Sequence, residues 1–293
     1  MYDFLKKSPI DFIHGVDHSR GVTSFYDEIL SEIKNGKKSI FCGSKNTLVL
    51  WERLDWDSGF FGLDVFQILS VSGKHVGDIF DGISSFLNTL PKGAYVLSKV
   101  EPTSLAYVQA VSKLGFELIE TRLTYVLDTE KFYPSERYNV RLATIDDISF
   151  LSNVAETTIN LYDRFHADPT LPSERVDRLM RTWIEASVKT DFADGVLVVD
   201  SSEPGAFCTF KTHQSKWEKW GCRASQPVFS AVSPKFKGWY RKIISELSLY
   251  LKEFGAEKLF LVTQVTNNAV ISVWEKLGYR YAKSEHIFRL VTK

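Results

Sequence analysis

The residues whose types and spacing could most clearly bind a ligand surround one glycine, Gly238. Cationic side chains flank it on both sides, at Lys235, Lys237, Arg241 and Lys242. The segment that follows has apolar residues at helical spacing. The first N–H groups of a helix have no carbonyl partner and lie at the positive end of its dipole, so this turn could bind a pyrophosphate. A basic helix start exposed to solvent is the alternative interpretation.

Regular elements must hold this turn in place. Residues 195–200, 206–213 and 227–232 are typical of strands, and 243–251 carry the apolar face of the following helix. Further helices are predicted over 24–33, 76–90 and 174–189, and short strands on either side of a turn at 43–46. The pattern predicts a mixed α/β fold in which an antiparallel sheet leads to the Gly238 turn.

The end of the chain has a second recognisable order of elements. Residues 259–265 form an apolar run of strand length, and the next segment has helical spacing up to Gly278. Residues 279–290 then alternate in polarity. Both faces of this last run are mixed, so it is predicted to be an edge strand or a hairpin partner.

This terminal segment has an earlier copy. Lys113-Leu114-Gly115-Phe116 aligns with Lys276-Leu277-Gly278-Tyr279, and at the same offset Leu127 meets Leu290. A repeat of this kind predicts a duplicated structural unit. The first copy has Val111 opposite Trp274 and shows no phosphate-binding turn, so we assign it no chemistry.

The order of strand, Asn267-x-Ala269, helix, Glu275-Lys-Leu-Gly-Tyr279 and strand resembles the C-terminal signature of the GNAT superfamily of acyl-CoA N-acyltransferases. That family usually has Tyr where this chain has Trp274. The string Lys235-x-x-Gly238-x-Tyr240 is similar to the family's Arg/Gln-x-x-Gly-x-Gly/Ala turn, with Tyr240 at the last small position. The resemblance therefore implies that acetyl-CoA is the cofactor.

Two other strings are similar to the two-part dTDP-fucosamine acetyltransferases of this superfamily, which act on a nucleotide-linked amino sugar. One is Trp56-Asp-Ser-x-Phe60-Phe61-Gly, and the other is Arg164-Phe-x-x-Asp before a helix that ends in Trp-Ile-Glu-Ala. Two glycines and an Asp-Ser pair predict a tight loop that brings the three aromatic residues of the first string together. An aromatic cluster that fills a seam between domains is the alternative.

The resemblance implies direct attack of a neutral amine on the thioester of acetyl-CoA. A backbone N–H near the end of strand 227–232 would stabilise the oxyanion, and the thiol would leave protonated. Indole does not release its proton at neutral pH, so Trp274 cannot supply it. Tyr240 and Tyr279 are the candidate substitutes, with packing as the alternative for each. His166 is the candidate base or acceptor-positioning residue, and His213 and Asp163 are second choices.

The implied site has three groups of residues. The catalytic candidates are Tyr240, Tyr279 and His166. The cofactor-binding candidates are Val232, Lys235, Lys237, Gly238, Trp239, Tyr240, Arg241, Asn267 and Trp274. The substrate-binding candidates are Trp56, Phe60, Phe61, Arg164, His166 and His213.

Composition restricts the remaining functions. Lys+Arg and Asp+Glu both number 36, which gives no global field for nucleic acid or an anionic membrane. The three cysteines are widely spaced, without a metal-binding pattern, and no signal peptide or membrane span is recognisable. We expect a cytoplasmic protein without a metal, acting on a small-molecule amine that could be a nucleotide sugar, with a homodimer left open.

The predicted architecture is a tandem one. Residues 1–45 are an accessory segment, 46–130 a truncated GNAT-like unit, and 138–293 a complete GNAT domain with a mixed, mostly antiparallel sheet on which the truncated unit packs. The predicted function is acetyl-CoA-dependent N-acetylation of a small amine. Two alternatives are a tandem transferase with another acyl or aminoacyl donor, and a non-catalytic CoA-binding or scaffold protein.

Overall fold

The computed structural model describes residue 5, residues 7–43 and residues 47–293. The chain forms two compact units. Unit 1 contains the described residues up to Asp11, Asp17–Arg122 and Ser284–Lys293, and unit 2 contains Phe12–Val16 and Leu123–Lys283. Each unit is thus built from separate stretches of chain, which differs from the consecutive ranges predicted from the sequence.

Unit 1 begins with helix α1 (Ser19–Lys34) and strands β1 (Ser39–Cys42) and β2 (Leu48–Arg53), and positions 44–46 of the predicted turn between those strands lie outside the described residues. It continues with α2 (Asp55–Phe61), β3 (Val65–Val71), α3 (Val76–Leu87), β4 (Tyr95–Val100), α4 (Leu105–Lys113) and the first half of β5 (Glu117–Asp128). The strand order is β1-β2-β3-β4-β11-β5, where β11 is the last strand of the chain (Arg280–Val291). Pairs β1–β2, β2–β3 and β4–β11 are antiparallel, and β3–β4 is parallel.

Unit 2 contains the second half of β5, then β6 (Val140–Leu142), α5 (Ile148–Thr157), α6 (Ser173–Lys189), β7 (Gly195–Val199) and β8 (Ala206–Lys211). It continues with α7 (Trp217–Trp220), β9 (Ala224–Val232), α8 (Trp239–Phe254), β10 (Lys258–Gln264), α9 (Asn268–Lys276) and the first part of β11. The strand order is β11-β5-β10-β9-β8-β7-β6. Strands β6 to β9 pair antiparallel and β9–β10 pairs parallel, so the predicted mixed, mostly antiparallel sheet is confirmed.

The predicted internal repeat is present in the structure. Strand β4, helix α4 and strand β5 have the same order as β10, α9 and β11, and the two helices have nine residues each and the two final strands twelve each. Each helix is followed by a glycine at positive φ, Gly115 in one copy and Gly278 in the other. The matching Lys-Leu-Gly-aromatic strings therefore mark the same structural position.

The prediction that the last strand is an edge strand or a hairpin partner was wrong, because β11 lies between β4 and β5 and does not neighbour β10, the strand before it in the chain. Its polar side chains have partners there. His286 Nδ1 is 3.0 Å from Thr121 Oγ1, and Arg289 donates to Glu117 Oε2 at 3.2 Å. Mixed polarity in an inner strand is accommodated because polar side chains on adjacent strands pair with each other.

The predicted tight loop around Trp56 is instead the short helix α2. The Ser58 hydroxyl donates to the Leu54 carbonyl at 2.7 Å and accepts the N–H of Val65 at 3.0 Å, so it stabilises the helix and the start of β3. A helical turn places residues four apart on one face. Trp56 and Phe60 accordingly stack, with ring centres 5.1 Å apart.

The corner between β6 and α5 is held by a buried carboxylate, Asp147. It accepts hydrogen bonds from both terminal nitrogens of Arg141 at 2.7 and 2.8 Å and from the Thr144 N–H at 2.8 Å. These bonds, that of Arg141 above all, lower the pKa of Asp147. The carboxylate therefore stabilises the fold above the carboxyl's unfolded pKa, and this contribution is lost as pH falls through the lowered folded pKa.

We predict that Asp147→Asn lowers the free energy of unfolding by about 1–3 kcal/mol at pH 7. Urea unfolding at pH 7 and at pH 3 measures this, and the deficit should shrink at the lower pH. Asp146→Asn, at the exposed neighbouring position, is the control and should have little effect. Equal losses in both variants would contradict the assigned role of Asp147.

None of the described residues forms a group of three or more His, Cys, Asp or Glu side chains suited to a metal ion. Among the helices of residues 7–43 and 47–293, none is both long enough and apolar enough to cross a membrane.

Candidate functional site

The candidate site in unit 2 begins where two parallel strands separate. Strands β9 and β10 pair at Ala224 with Lys258 and at Ser225 with Leu259, which are their first residues. Beyond these pairs β9 continues to Val232 and β10 to Gln264. The facing backbone groups of the two diverging strands can therefore bond to something other than each other. In unit 1 the corresponding pair, β3 and β4, stays paired over four positions.

Strand β9 contains a bulge beside this opening. Cys208 of β8 lies opposite Ser230, but Phe210, two residues on, lies opposite Pro227, so β9 carries one extra residue at Val228–Phe229. The Phe229 N–H is bonded by Thr209 Oγ1 at 3.0 Å. Bulges re-aim backbone and side-chain groups and are frequent beside active sites.

The turn that follows β9 leads into the start of α8. The Ser233 N–H donates to the Gly205 carbonyl at 2.8 Å, and Gly238 caps α8 in the left-handed conformation, at φ 92°. No side chain caps this helix end. A Cβ at Gly238 would meet no heavy atom within 4 Å, so the glycine borders open space. The first N–H groups of the helix are thus available to a ligand from outside the helix.

Cations surround the same helix end. Lys237 and Arg241 are exposed, and Lys242 Nζ lies 5.0 Å from the ring centres of both Tyr138 and Trp239. Lys235 pairs weakly with Glu203 at 3.5 Å. Uncapped N–H groups, a left-handed glycine and these cations form a donor set that fits a pyrophosphate.

Beneath this turn, Tyr240 and Trp274 form a polar contact inside an apolar core. The indole Nε1–H of Trp274 donates to the Tyr240 hydroxyl at 2.8 Å, and Ser230 also hydrogen-bonds this hydroxyl. Trp274 is 2 % exposed and packs against the Tyr125 ring. Burial raises the pKa of Tyr240, although the bonds from Trp274 and Ser230 oppose that rise. Ser230 was not predicted as a site residue, because the sequence around a strand residue does not show which distant side chain that residue contacts.

Two other candidates have clear structural contacts. The Tyr279 hydroxyl shares a hydrogen bond of 2.8 Å with Ser248 of α8, and the ring is 2 % exposed; burial raises its pKa. Asn267 caps α9 by accepting the Val270 N–H at 3.4 Å, and it donates to Thr263 Oγ1 at 3.2 Å. The structure therefore shows a core contact for Tyr279 and a capping contact for Asn267.

The segment between α5 and α6 carries Arg164 and His166. Asn160 in this segment donates to Gln264 Oε1 at 2.7 Å, which ties the segment to the end of β10. His166 Nδ1 lies 2.6 Å from Asp163 and Nε2 lies 3.4 Å from Asp177 of α6. The Arg164 guanidinium lies 4.0 Å from the centre of the Phe165 ring. His166 is thus a buried ring between two carboxylates.

We predict that His166 stabilises this segment in its charged form. Burial lowers the pKa of the ring, but Asp163 and Asp177 together outweigh that effect, so the pKa of His166 is raised. Its contribution is fully present below the ordinary histidine pKa and is lost as pH rises through the raised value. His166→Gln should cost about 1–3 kcal/mol at pH 5.5 and less at pH 9, measured by urea unfolding. His14→Gln, at an exposed position, is the control, and a deficit that does not change with pH would contradict the prediction.

The remaining substrate candidates lie in different places. His213 stacks on Phe260 with ring centres 5.9 Å apart, its Nε2 is 3.3 Å from Gln226 Oε1, and burial lowers its pKa. Trp56 and Phe60 form their stacked pair in unit 1, where Phe61 is buried beneath them with its ring edge-on to Phe60. The residues that the structure brings together are Tyr240, Ser230 and Trp274, which meet at the Tyr240 hydroxyl.

The chain is similar in fold to several solved structures, although its sequence has no clear match. No protein-family profile and no curated protein sequence matches the chain. Among solved structures it is similar to a GCN5-related N-acetyltransferase from Sphaerobacter thermophilus, with a TM-score of 0.55, 10% identity, and coverage of 91% of this chain and 88% of that one. A GCN5-related N-acetyltransferase from Kribbella flavida gives a TM-score of 0.52 at 8% identity, covering 91% and 94%.

A third similar structure is a fungal multi-domain GH3 β-N-acetylglucosaminidase that contains a GCN5-related glucosamine N-acetyltransferase region. The TM-score is 0.57 at 13% identity, and the match covers 84% of this chain and 32% of that one. At these identities the similarity concerns the fold. The chain has the fold of the GCN5-related, or GNAT, N-acetyltransferases.

Proposed function

We propose that this protein is an acyl-CoA-dependent N-acetyltransferase that uses acetyl-CoA and acetylates the amine of a small molecule. One observation carries the proposal: parallel strands β9 and β10 separate after two paired positions, directly before an uncapped helix start surrounded by cations. A long acyl-thioester arm attached to a pyrophosphate needs both an opening between strands and an anion site at its end. The GNAT fold of the chain supports the same function.

Two groups of residues would have separate roles in this reaction. The N–H groups at the start of α8, with Lys237 and Arg241, would hold the pyrophosphate. Acetyl-CoA supplies an activated carbonyl when bound. Backbone N–H groups of β9 between its bulge and Val232 would stabilise the negative charge that develops on the carbonyl oxygen. The strand is rigid, so this stabilisation needs no rearrangement during the reaction.

We further propose that the acceptor is an amino sugar, with nucleotide-linked amino sugars as the leading class. The strings at 56–62 and 164–168 support this proposal, as does the fold similarity to a protein region described as a glucosamine N-acetyltransferase. The exposed Trp56, 52 % accessible and stacked on Phe60, offers a flat apolar surface of the kind that binds sugar or base rings. Arg164, His166 and His213 remain the proposed acceptor-side polar residues.

Binding and turnover test the proposal in sequence. Acetyl-CoA and CoA should raise the melting temperature of the protein, because a ligand that binds only the native state stabilises it. Thiol release from acetyl-CoA is then measured with glucosamine, dTDP-linked amino sugars, amino acids and simple alkylamines as acceptors. A preference for the sugars supports the acceptor class. No thermal shift with acetyl-CoA at millimolar concentration would overturn the function, and binding without turnover of any amine would favour a non-catalytic CoA-binding protein.

A further inference from the structure

The geometry points to Tyr240 as the catalytic residue that delivers a proton to the departing thiolate, with Trp274 as the positioning residue that orients it. This inference rests on the proposed acetyl transfer. It assigns the proton donor to helix α8, whereas the position on α9 that resembles the usual donor site of the family is held by an indole.

The first argument is position. The Tyr240 hydroxyl has two hydrogen-bond partners. The first is Ser230 on β9, which lies five residues beyond the last β9 residue that pairs with β10. Its other partner, Trp274, lies on α9, the helix that directly follows β10. The hydroxyl therefore links β9 to the helix that follows β10. Tyr240 itself stands in the first turn of α8, two residues after Gly238.

The second argument is the direction of the protons. Indole Nε1–H is a donor and has no acceptor capacity, so the Tyr240 oxygen must accept in the 2.8 Å bond from Trp274. The Tyr240 O–H proton therefore points away from Trp274, where either Ser230 or a ligand can accept it. A tyrosine at position 274 could have donated or accepted in this contact, whereas tryptophan allows only one arrangement.

The step balances without another reactant. The acceptor nitrogen bonds to the carbonyl carbon, the carbon–sulfur bond breaks, and its electron pair moves to sulfur. The Tyr240 proton then moves to sulfur and gives the free thiol. The proton that the nitrogen loses enters solvent, and Tyr240 recovers one from solvent, so the net change is transfer of one proton from nitrogen to sulfur.

Tyr240→Phe is the first test. We expect kcat for acetyl transfer to fall by about 100-fold or more. A second readout is independent of turnover: the ratio of the affinities for CoA and for desulfo-CoA, measured by calorimetry. The wild type should bind CoA more tightly because the hydroxyl contacts the thiol, and the ratio should approach one in Tyr240→Phe. Tyr250→Phe, on the same helix, is the control and should keep both kcat and the ratio.

The double variant Tyr240→Phe/Trp274→Phe separates chemistry from packing. Tyr240→Phe alone leaves the buried Trp274 N–H without its acceptor, which should lower the melting temperature. Removing the indole as well should recover much of that temperature without recovering kcat or the thiol preference. Trp274→Phe alone should lower kcat about tenfold with little change in KM for acetyl-CoA, because Tyr240 is kept but no longer oriented.

The outcomes distinguish this inference from the function on which it rests. If wild-type protein binds no CoA, the proposed function fails. If the wild type binds and acetylates, but Tyr240→Phe keeps kcat and the preference for CoA over desulfo-CoA, only the assignment of Tyr240 is overturned. Recovery of kcat in the double variant would likewise overturn it, because the single substitution would then have acted through packing.

Discussion

Replacing Gly238 by alanine should weaken acetyl-CoA binding at least about tenfold, a loss of about 1.4 kcal/mol. Gly238 has φ 92°, a conformation that costs a residue with a Cβ about 1–2 kcal/mol. The added methyl group would project into the open space at the helix start, where the proposed function places the pyrophosphate. Calorimetric titration with acetyl-CoA measures the loss.

Gly255→Ala is the matched control for this prediction. Gly255 follows the other end of the same helix, also in the left-handed conformation, at φ 109°. The backbone strain should therefore be similar, and both variants should lose similar stability to urea. Only Gly238→Ala should lose affinity. An equal loss of affinity in both variants would show that strain in α8, and not the anion site, is responsible.

Leu127→Ala should lower the free energy of unfolding by about 2–5 kcal/mol, because it removes a large apolar side chain from the core of unit 2. Leu127 is 2 % exposed and lies in the same core as Trp274, Tyr279 and the buried face of α8. Leu118→Ala, in the other half of the same strand and 53 % exposed, should change stability by about 0.5 kcal/mol or less. Urea unfolding of the full chain compares the two, and equal losses would contradict this placement of β5.

The same placement predicts the behaviour of fragments. A fragment that begins at residue 138 lacks Tyr125, Leu127 and Phe132, all of which are buried in the core of unit 2. It also lacks Thr129, whose hydroxyl donates to the Ala256 carbonyl at 2.7 Å. Three such losses, at about 2–5 kcal/mol each, approach the whole stability of a typical domain. We expect this fragment to show no cooperative unfolding transition, as measured by circular dichroism.

Local pattern was sufficient for most of the regular structure. The helices after Gly238 and before Gly278 and the strands around them were predicted correctly. The spacing of apolar residues and the glycines at helix ends are signals that depend only on residues close together in the chain. The internal repeat was readable for the same reason, since a copied segment keeps its local pattern. The helix at Trp56 was missed because Asp, Ser and Gly favour turns in isolation, whereas the Ser58 bonds to Leu54 and Val65 make them helical here.

Strand order was beyond local pattern. The mixed polarity of β11 suggested an edge, and only the pairing of His286 with Thr121 and of Arg289 with Glu117 explains its inner position. The division of the chain into its two units could not be predicted either. The two halves of β5 belong to different units, although the sequence pattern does not change at residue 122. Pairing partners far apart in sequence decide both features.

By itself, the sequence determined the α/β class, the repeated strand-helix-strand unit and the glycine and cations of the Gly238 turn, because each depends on residues close together in the chain. The tertiary structure alone decided which side chains meet at the Tyr240 hydroxyl. Ser230, Tyr240 and Trp274 come from a strand and two helices, and their hydrogen bonds exist only when those elements pack. The proposed role of Trp274 in orienting Tyr240 follows from one of these hydrogen bonds.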